Sequence, residues 1–177
     1  MTTTPAPEQI SDEARRLYQA GDFAGAAGAY GRAAAACTAA GDALQAAEMK
    51  NNQAVTLLRG RQAAAALEAV QGTDQVFEQA GDLRRQGMAL ANQAGALEAL
   101  KRKKEAVEFY ERAGAVLEQA GEGDLRVEVM QLLAMHYLRR GKFYDAVLSL
   151  QSGLAGVKNP TPRQKFFKKI IFMRLWR

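Results

Sequence analysis

A short phrase recurs along the chain at intervals of 40 positions. It reads CTAAGD at residues 37–42, FEQAGD at 77–82 and LEQAGE at 117–122. The same period aligns two columns that hold alanine in all four copies. The columns are Ala14, Ala54, Ala94 and Ala134, and Ala26, Ala66, Ala106 and Ala146. Because alanine fills about a fifth of the sequence, chance would give only about 0.06 such columns, so the chain consists of four copies of one unit.

Composition and local patterning predict that each unit is a pair of helices. Alanine is the strongest helix former, prolines are few, and no stretch alternates between apolar and polar residues. Apolar and small residues recur at steps of three and four, as in Ala47, Asn51, Ala54, Leu57 and Leu58. The predicted pairs run at about 8–20 and 23–40, 43–60 and 62–79, 83–100 and 103–119, and 125–140 and 143–157.

The recurring phrase is typical of a helix end followed by a new helix start. Glycine can take the left-handed conformation that ends a helix, and it stands there in every copy: Gly41, Gly81 and Gly121. Asp42 and Asp82 then follow and can accept hydrogen bonds from the first free amides of the next helix. In the third copy Glu122 and Gly123 are expected to lengthen the turn and pass this role to Asp124. A second turn column holds Gly21, Arg61, Lys101 and Gly141.

These spacings resemble the tetratricopeptide repeat (TPR) over residues 8–158. The third unit places small or large residues as that family does, at Ala94, Leu97, Ala106, Tyr110 and Ala113. The period of 40 exceeds the family's usual 34 and is similar to the kinesin-light-chain variety. HEAT and armadillo repeats reach the same period and stay open as an alternative.

The resemblance implies an all-α fold, a right-handed α-solenoid of four helix-turn-helix repeats with a C-terminal capping helix. Repeats are expected at about 8–41, 42–81, 82–121 and 122–158. A flexible tail at 1–7 would precede them, and a proline-containing linker with a basic C-terminal helix would follow at 159–177.

In TPR proteins, the first helix of each pair lines a concave groove that binds peptides or partner proteins. Carried over to this chain, the groove would be lined by Arg15, Tyr18, Glu48, Asn51, Asn52, Val55, Arg59, Met88, Asn92, Glu98, Glu128, Gln131, Met135 and Arg139. The asparagines have two interpretations: their amides hold a partner's backbone, or they tie adjacent helices together. The lysines that some members use to grip a C-terminal carboxylate are missing.

The net charge of +5 is concentrated at the C-terminal end of the sequence. The last 15 residues contribute +6, which leaves −1 for residues 1–162 and argues against nucleic acid as a partner. One interpretation is a helix whose apolar face caps the fourth repeat. Another is contact with an anionic membrane surface through Lys165, Lys168, Lys169, Arg174 and Arg177. The run KRKK at 101–104 is interpreted as a solvated turn, with an anionic contact as the alternative.

Histidine and cysteine, which often act in catalysis or bind metals, do not form a recognisable motif in this sequence. The sequence has a single histidine, His136, from which neither a catalytic triad nor a two-histidine metal site can be built. Cys37 has no CxxC partner. Both residues are therefore interpreted as packing residues. We therefore predict no catalysis, no cofactor and no metal. The first ten residues do not read as a secretory signal, and a cytoplasmic location is expected, peripheral at the membrane if the basic helix binds lipid.

Three functional hypotheses follow, in order of preference. The first is a non-enzymatic scaffold that binds a peptide or protein in the concave groove. The second is a peripheral membrane adaptor held by the basic C-terminal helix. The third is a structural homo-oligomer in which repeat edges stack between chains.

Overall fold

A computed structural model describes residues 6–155 together with Val157 and Lys165. Within these residues the chain forms helices joined by tight turns, and no strand is present. The helices are α1 (Pro7–Gln19), α2 (Phe23–Ala39), α3 (Ala43–Arg59), α4 (Ala63–Val70), α5 (Thr73–Gln79), α6 (Leu83–Ala99), α7 (Lys103–Gln119), α8 (Gly123–Leu138) and α9 (Phe143–Ala155). They pack in chain order as four helix-turn-helix units, which confirms the expected α-solenoid.

The alanine columns occupy equivalent places in successive units. Ala26, the fourth residue of α2, is fully buried, and its N–H donates to the carbonyl of Asp22 at 3.0 Å. The same position in the other repeats makes the same bond from Ala66, Ala106 and Ala146. All eight alanines of the two columns are at most 1% exposed. A larger side chain at these buried positions would have to displace its packed neighbours.

The turns repeat one hydrogen-bonding scheme. At the first between-repeat turn, the N–H of Asp42 donates to the carbonyl of Cys37 at 3.0 Å, and that of Gly41 donates to Thr38 at 3.1 Å. This pair of hydrogen bonds closes a helix whose end is formed by a left-handed residue, here Gly41. The left-handed position is filled in every turn, by Gly21, Gly41, Arg61, Gly81, Lys101, Gly121 and Gly141.

Aspartates cap the helices that follow these turns, as predicted for Asp42 and Asp82. Each accepts a 2.9 Å hydrogen bond from the backbone N–H three residues on. The expectation for Asp124 is wrong. The turn is not lengthened, because Glu122 takes the place of the aspartates and α8 begins at Gly123 without a side-chain cap. Gly123 adopts the helical conformation, so no later restart is needed.

The second helix of repeat 2 is broken, where one helix was expected over 62–79. Gln71 (φ −58°, ψ 128°) and Gly72 (φ 80°, ψ −6°) have the dihedral angles of a type II turn between α4 and α5. The Thr73 hydroxyl donates to the Val70 carbonyl at 2.8 Å, which satisfies an acceptor that the break exposes. The stretch still ends at Gln79, in register with α2 and α7.

Both chain ends fall largely outside the described residues. The capping helix and linker expected at 159–177 lie there, as does most of the tail expected at 1–7, and α1 already begins at Pro7. In the part that the structure describes, no helix combines the length and apolar character needed to cross a bilayer.

Candidate partner-binding surface

The first helices of the four repeats are α1, α3, α6 and α8, and polar side-chain contacts join those of repeats 2, 3 and 4. Between α3 and α6, Arg85 donates to Glu48 at 2.9 Å, and the Asn92 amide donates to the Asn51 carbonyl oxygen at 3.2 Å. These contacts link residues 37 and 41 positions apart, close to one repeat length. We call the side of the stack that these helices present the first-helix surface.

Glu98 is the centre of a similar contact between repeats 3 and 4. Its carboxylate accepts hydrogen bonds from Arg139 at 3.0 Å and from the Tyr110 hydroxyl at 3.1 Å, and it lies 3.5 Å from Nδ1 of His136. Burial raises the pKa of Tyr110 and the adjacent carboxylate adds to the effect, so the hydroxyl stays protonated and donates. Glu98 therefore joins three elements, α6, α7 and α8.

The sequence-predicted groove residues differ in their exposure. Exposed members are Arg15, Arg59, Met88, Glu128, Gln131, Met135 and Arg139. Half-buried members are Tyr18, Glu48, Asn52, Val55, Asn92 and Glu98. Asn51 is only 8% exposed and is bonded to Asn92, so this pair ties two helices together. Asn52 makes no side-chain hydrogen bond within the described residues, and its half-buried amide is available to a partner.

A cavity of about 400 Å³ opens between repeats 3 and 4. It is lined by Gly95, Glu98, Ala99, Lys103, His136, Arg139 and Arg140. Glu98 and Arg139 belong to the predicted groove, whereas sequence reasoning missed the other five. Two signals were present: the run KRKK contains Lys103, and Gly95 stands in the column that holds Val55 and Met135 in the neighbouring repeats.

Basic side chains gather along one edge of the stack, at the turns inside repeats 2 to 4. This basic edge consists of Arg59, Arg61, Lys101, Arg102, Lys103, Lys104, Arg139, Arg140 and Lys142. Three of them are paired, Arg102 with Glu105 at 2.6 Å, Arg139 with Glu98 at 3.0 Å and Lys142 with Asp145 at 3.7 Å. The turns between repeats carry acids instead, namely Asp42, Asp82 and Glu122. The two edges therefore differ in the sign of their charge.

The fourth repeat exposes several large apolar side chains. They are Leu132, Met135, Leu138, Phe143, Tyr144 and Leu148, with Phe143 and Tyr144 at 68% and 65% exposure. Repeat 3 holds Lys104 and Glu108 in the columns of Tyr144 and Leu148. The fourth repeat therefore presents an apolar outer face where the third presents charge.

Cys37 and His136, the two residue types most often used in catalysis that occur once each, both lie in the protein interior. Cys37 is 2% exposed in a cluster with Ala33 and Met49, and burial raises the pKa of its thiol, which disfavours the reactive thiolate. His136 is also 2% exposed. Across the described residues, no group of three or more histidine, cysteine or acidic side chains is arranged to hold a metal.

Solved structures similar to this chain contain TPR-like repeats. Two crystal structures of a kinesin-light-chain-like protein from Podosopora anserina, with nearly identical TPR-like repeats, align with TM-scores of 0.73 and 0.72. The sequences are 17% identical, and each alignment covers 96% of this chain and 88% of the other. No protein-family model and no curated protein matches. The chain thus has the TPR-like repeat fold, as the resemblance in its sequence implies.

Proposed function

We propose that this protein is an interaction scaffold that holds an extended peptide or partner segment against the first-helix surface. The observation that supports the proposal is that the first helix of every repeat carries exposed side chains, from Arg15 in α1 to Arg139 at the end of α8. Because α3 and α6 contact each other and are bridged by polar side chains, this side is inferred to be the inner, concave side of the stack.

The chemistry of the first-helix surface suits a peptide. Met88 and Met135 are 39% and 48% exposed, and the flexible thioether side chain adapts to many apolar partners. Asn52 offers both a donor and an acceptor to an extended backbone, whose polar groups lack partners of their own. Apolar contacts would supply affinity, and the amide would fix the direction of the bound chain.

Peptide selection combined with site-specific crosslinking tests the proposal. Short random peptides displayed on phage are selected on the full chain, and a photo-crosslinking amino acid replaces Gln131 on α8 or, as the matched control, Glu108. Both positions are exposed, but Glu108 lies on the second helix of repeat 3. Selected peptides should crosslink from position 131 and not from 108. Equal crosslinking from both positions, or no selectable peptide, would contradict the proposal.

The exposed apolar face of repeat 4 favours a second candidate, a peripheral membrane adaptor. Phe143 and Tyr144 stand beside Lys142 and Arg140, and aromatic and basic side chains together suit an anionic bilayer surface. We expect the full chain to float with anionic vesicles at low salt, and a variant with Phe143→Ser and Tyr144→Ser to float less. Full-length protein that stays in the soluble fraction would exclude this candidate.

A further inference from the structure

We propose that the cavity between repeats 3 and 4 binds a carboxylate side chain, aspartate or glutamate, of the peptide held on the first-helix surface. The inference rests on the proposed function and specifies its partner as an acidic peptide. It is carried by the charge around the cavity, by the space within it and by the position of both on the first-helix surface.

The charge around the cavity favours an anion. Lys103, Arg139 and Arg140 line it, and Glu98 is the one acid among its lining residues. That acid is already engaged, because Tyr110 and Arg139 donate to it. The lining therefore carries a surplus of two positive charges, and Lys101 and Lys104 beside it add charge of the same sign. Guanidinium groups bind carboxylates in a planar, two-bond geometry, which makes an acidic side chain the matching group.

Gly95, which has no side chain, contributes to the space in the cavity. The equivalent positions of repeats 2 and 4 hold Val55 and Met135. Among these three repeats, only the third has no side chain at this position of the predicted groove. A Cβ placed on Gly95 would approach only Leu58, at 3.6 Å, which is ordinary contact distance. Because Gly95 lines the cavity and has no side chain, the opening forms a recess beside α6 that a short acidic side chain can enter. A flat membrane surface cannot follow a recess of this kind, which is why a peptide is favoured as the occupant.

A neutral substitution can close the recess without changing the charge. Gly95→Val reproduces the residue of repeat 2 and should fold, since nothing lies closer than 3.6 Å to the new Cβ. Gly28→Val is the matched control, because Gly28 is an exposed helical glycine of α2 whose Cβ would meet only Arg32, at 3.9 Å. By fluorescence anisotropy with a selected acidic peptide, Gly95→Val should weaken binding about tenfold, and Gly28→Val should leave it unchanged.

A second pair of variants separates a local site from general attraction. The double change Lys103→Ala and Arg140→Ala removes two cations that line the cavity, whereas Lys104→Ala and Lys142→Ala removes two from the same turns that do not. Both double variants lower the net charge equally, so long-range attraction falls equally. The first should weaken binding about tenfold more than the second, with melting curves confirming that each variant is folded.

The outcomes distinguish this inference from the proposed function. Selected peptides that lack acidic residues, or that bind Gly95→Val with unchanged affinity, overturn the carboxylate site, while crosslinking from position 131 would leave groove binding intact. If no peptide is selected, both fail. A single-stranded oligothymidylate or an anionic vesicle whose binding Gly95→Val abolishes would assign the recess to phosphate and likewise overturn the inference.

Discussion

Arg61 and Lys101 hold backbone conformations that the other within-repeat turns assign to glycine. Their φ angles are 59° and 62°, against 82° for Gly21 and 69° for Gly141. A side chain in this left-handed region brings its Cβ too close to the following carbonyl, at a cost of about 1–2 kcal/mol. Two of the four repeats therefore store strain in the turn between their helices.

Replacing these residues by glycine should stabilise the fold. Arg61→Gly or Lys101→Gly should raise the free energy of unfolding by about 0.5–1 kcal/mol, less than the full strain because glycine gains freedom in the unfolded chain. Urea denaturation measures the change. Gly141→Ala is the reverse control and should lower stability by about 1 kcal/mol. A loss of stability in both glycine variants would show that these turns are not strained.

The 40-residue period predicted the turn at Arg61 more reliably than local residue preference would. Gly60, next to it, is the residue that local rules place in the left-handed position, yet its φ is −76°. The column is decisive because α3 must end after the same number of residues as α6. The cap at Asp124 was mispredicted for the opposite reason: a local feature, the extra Gly123, was given more weight than the period.

Asp82 should make stability depend on pH. The backbone N–H of Arg85 donates to its carboxylate, and the Arg85 guanidinium adds a second bond, which together lower the pKa of Asp82. A lowered folded-state pKa contributes stability above the unfolded value of about 3.9, and this stability is lost as pH falls through the folded-state pKa. Asp82→Ala should therefore cost about 1 kcal/mol at neutral pH and less in acid.

Denaturation of the wild type and of Asp82→Asn over a range of acid pH isolates this group. Asparagine caps helices about as well as aspartate but does not titrate. The stability difference between the two proteins should shrink as the pH falls below about 4. A difference that stays constant across that range would mean that the Asp82 charge contributes nothing.

At the scale of the helix, the break between α4 and α5 places a buried acid at the interface of repeats 2 and 3. Asp74 is 4% exposed and accepts a 2.8 Å hydrogen bond from the Gln93 amide, with Arg112 at 3.5 Å. This arrangement has no local signature in the sequence, because Gln71, Gly72 and Thr73 are each tolerated inside a helix. The break depends on contacts between repeats, which a one-repeat pattern does not contain.

The Asp74–Gln93 pair should behave as a coupled unit. Asp74→Ala alone leaves the Gln93 amide buried without its partner and should cost about 1–3 kcal/mol. Adding Gln93→Leu, the residue that repeat 4 carries at Leu133, removes the unpaired group and should restore most of the loss. A double-mutant cycle by urea denaturation measures the coupling. If the changes in unfolding free energy of the two single variants add up to that of the double variant, the hydrogen bond contributes nothing to stability.

The candidate site was predictable only where one helix supplies it. The spacing along α8 placed Gln131, Met135 and Arg139 on one face, and the structure exposes all three. The cavity needs α6, the start of α7 and the end of α8 together, so Lys103 and Arg140 enter it through tertiary packing. Helical periodicity describes one face of one element, and it does not report which turn comes to lie beside that face.

At the scale of the whole molecule, each repeat packs mainly on its neighbours. One core cluster joins α6, α7 and α8 through Leu90, Tyr110, Leu117 and Met130. A separate cluster lies in repeat 1 and the start of repeat 2, around Ile10, Tyr30 and Met49. The free energy of unfolding of such a stack is close to a sum of terms for each repeat and for each interface between neighbours. A destabilising substitution should therefore promote unfolding mainly in its own repeat and in the repeats next to it.

Equivalent substitutions in repeats 1 and 3 should therefore unfold different parts of the chain. Ala106→Leu and Ala26→Leu each force three extra carbons into a fully buried site, at a cost of about 1–3 kcal/mol. Hydrogen exchange read by mass spectrometry should show faster exchange in α6–α8 for Ala106→Leu, with α1 and α2 protected, and the reverse for Ala26→Leu. Because Ala26 and Ala106 occupy equivalent positions in their repeats, a difference in how far the faster exchange extends reports the coupling between repeats rather than the substitution itself. Uniform loss of protection along the chain in both variants would instead mean that the stack unfolds as one cooperative unit and that the nearest-interface description fails for this chain.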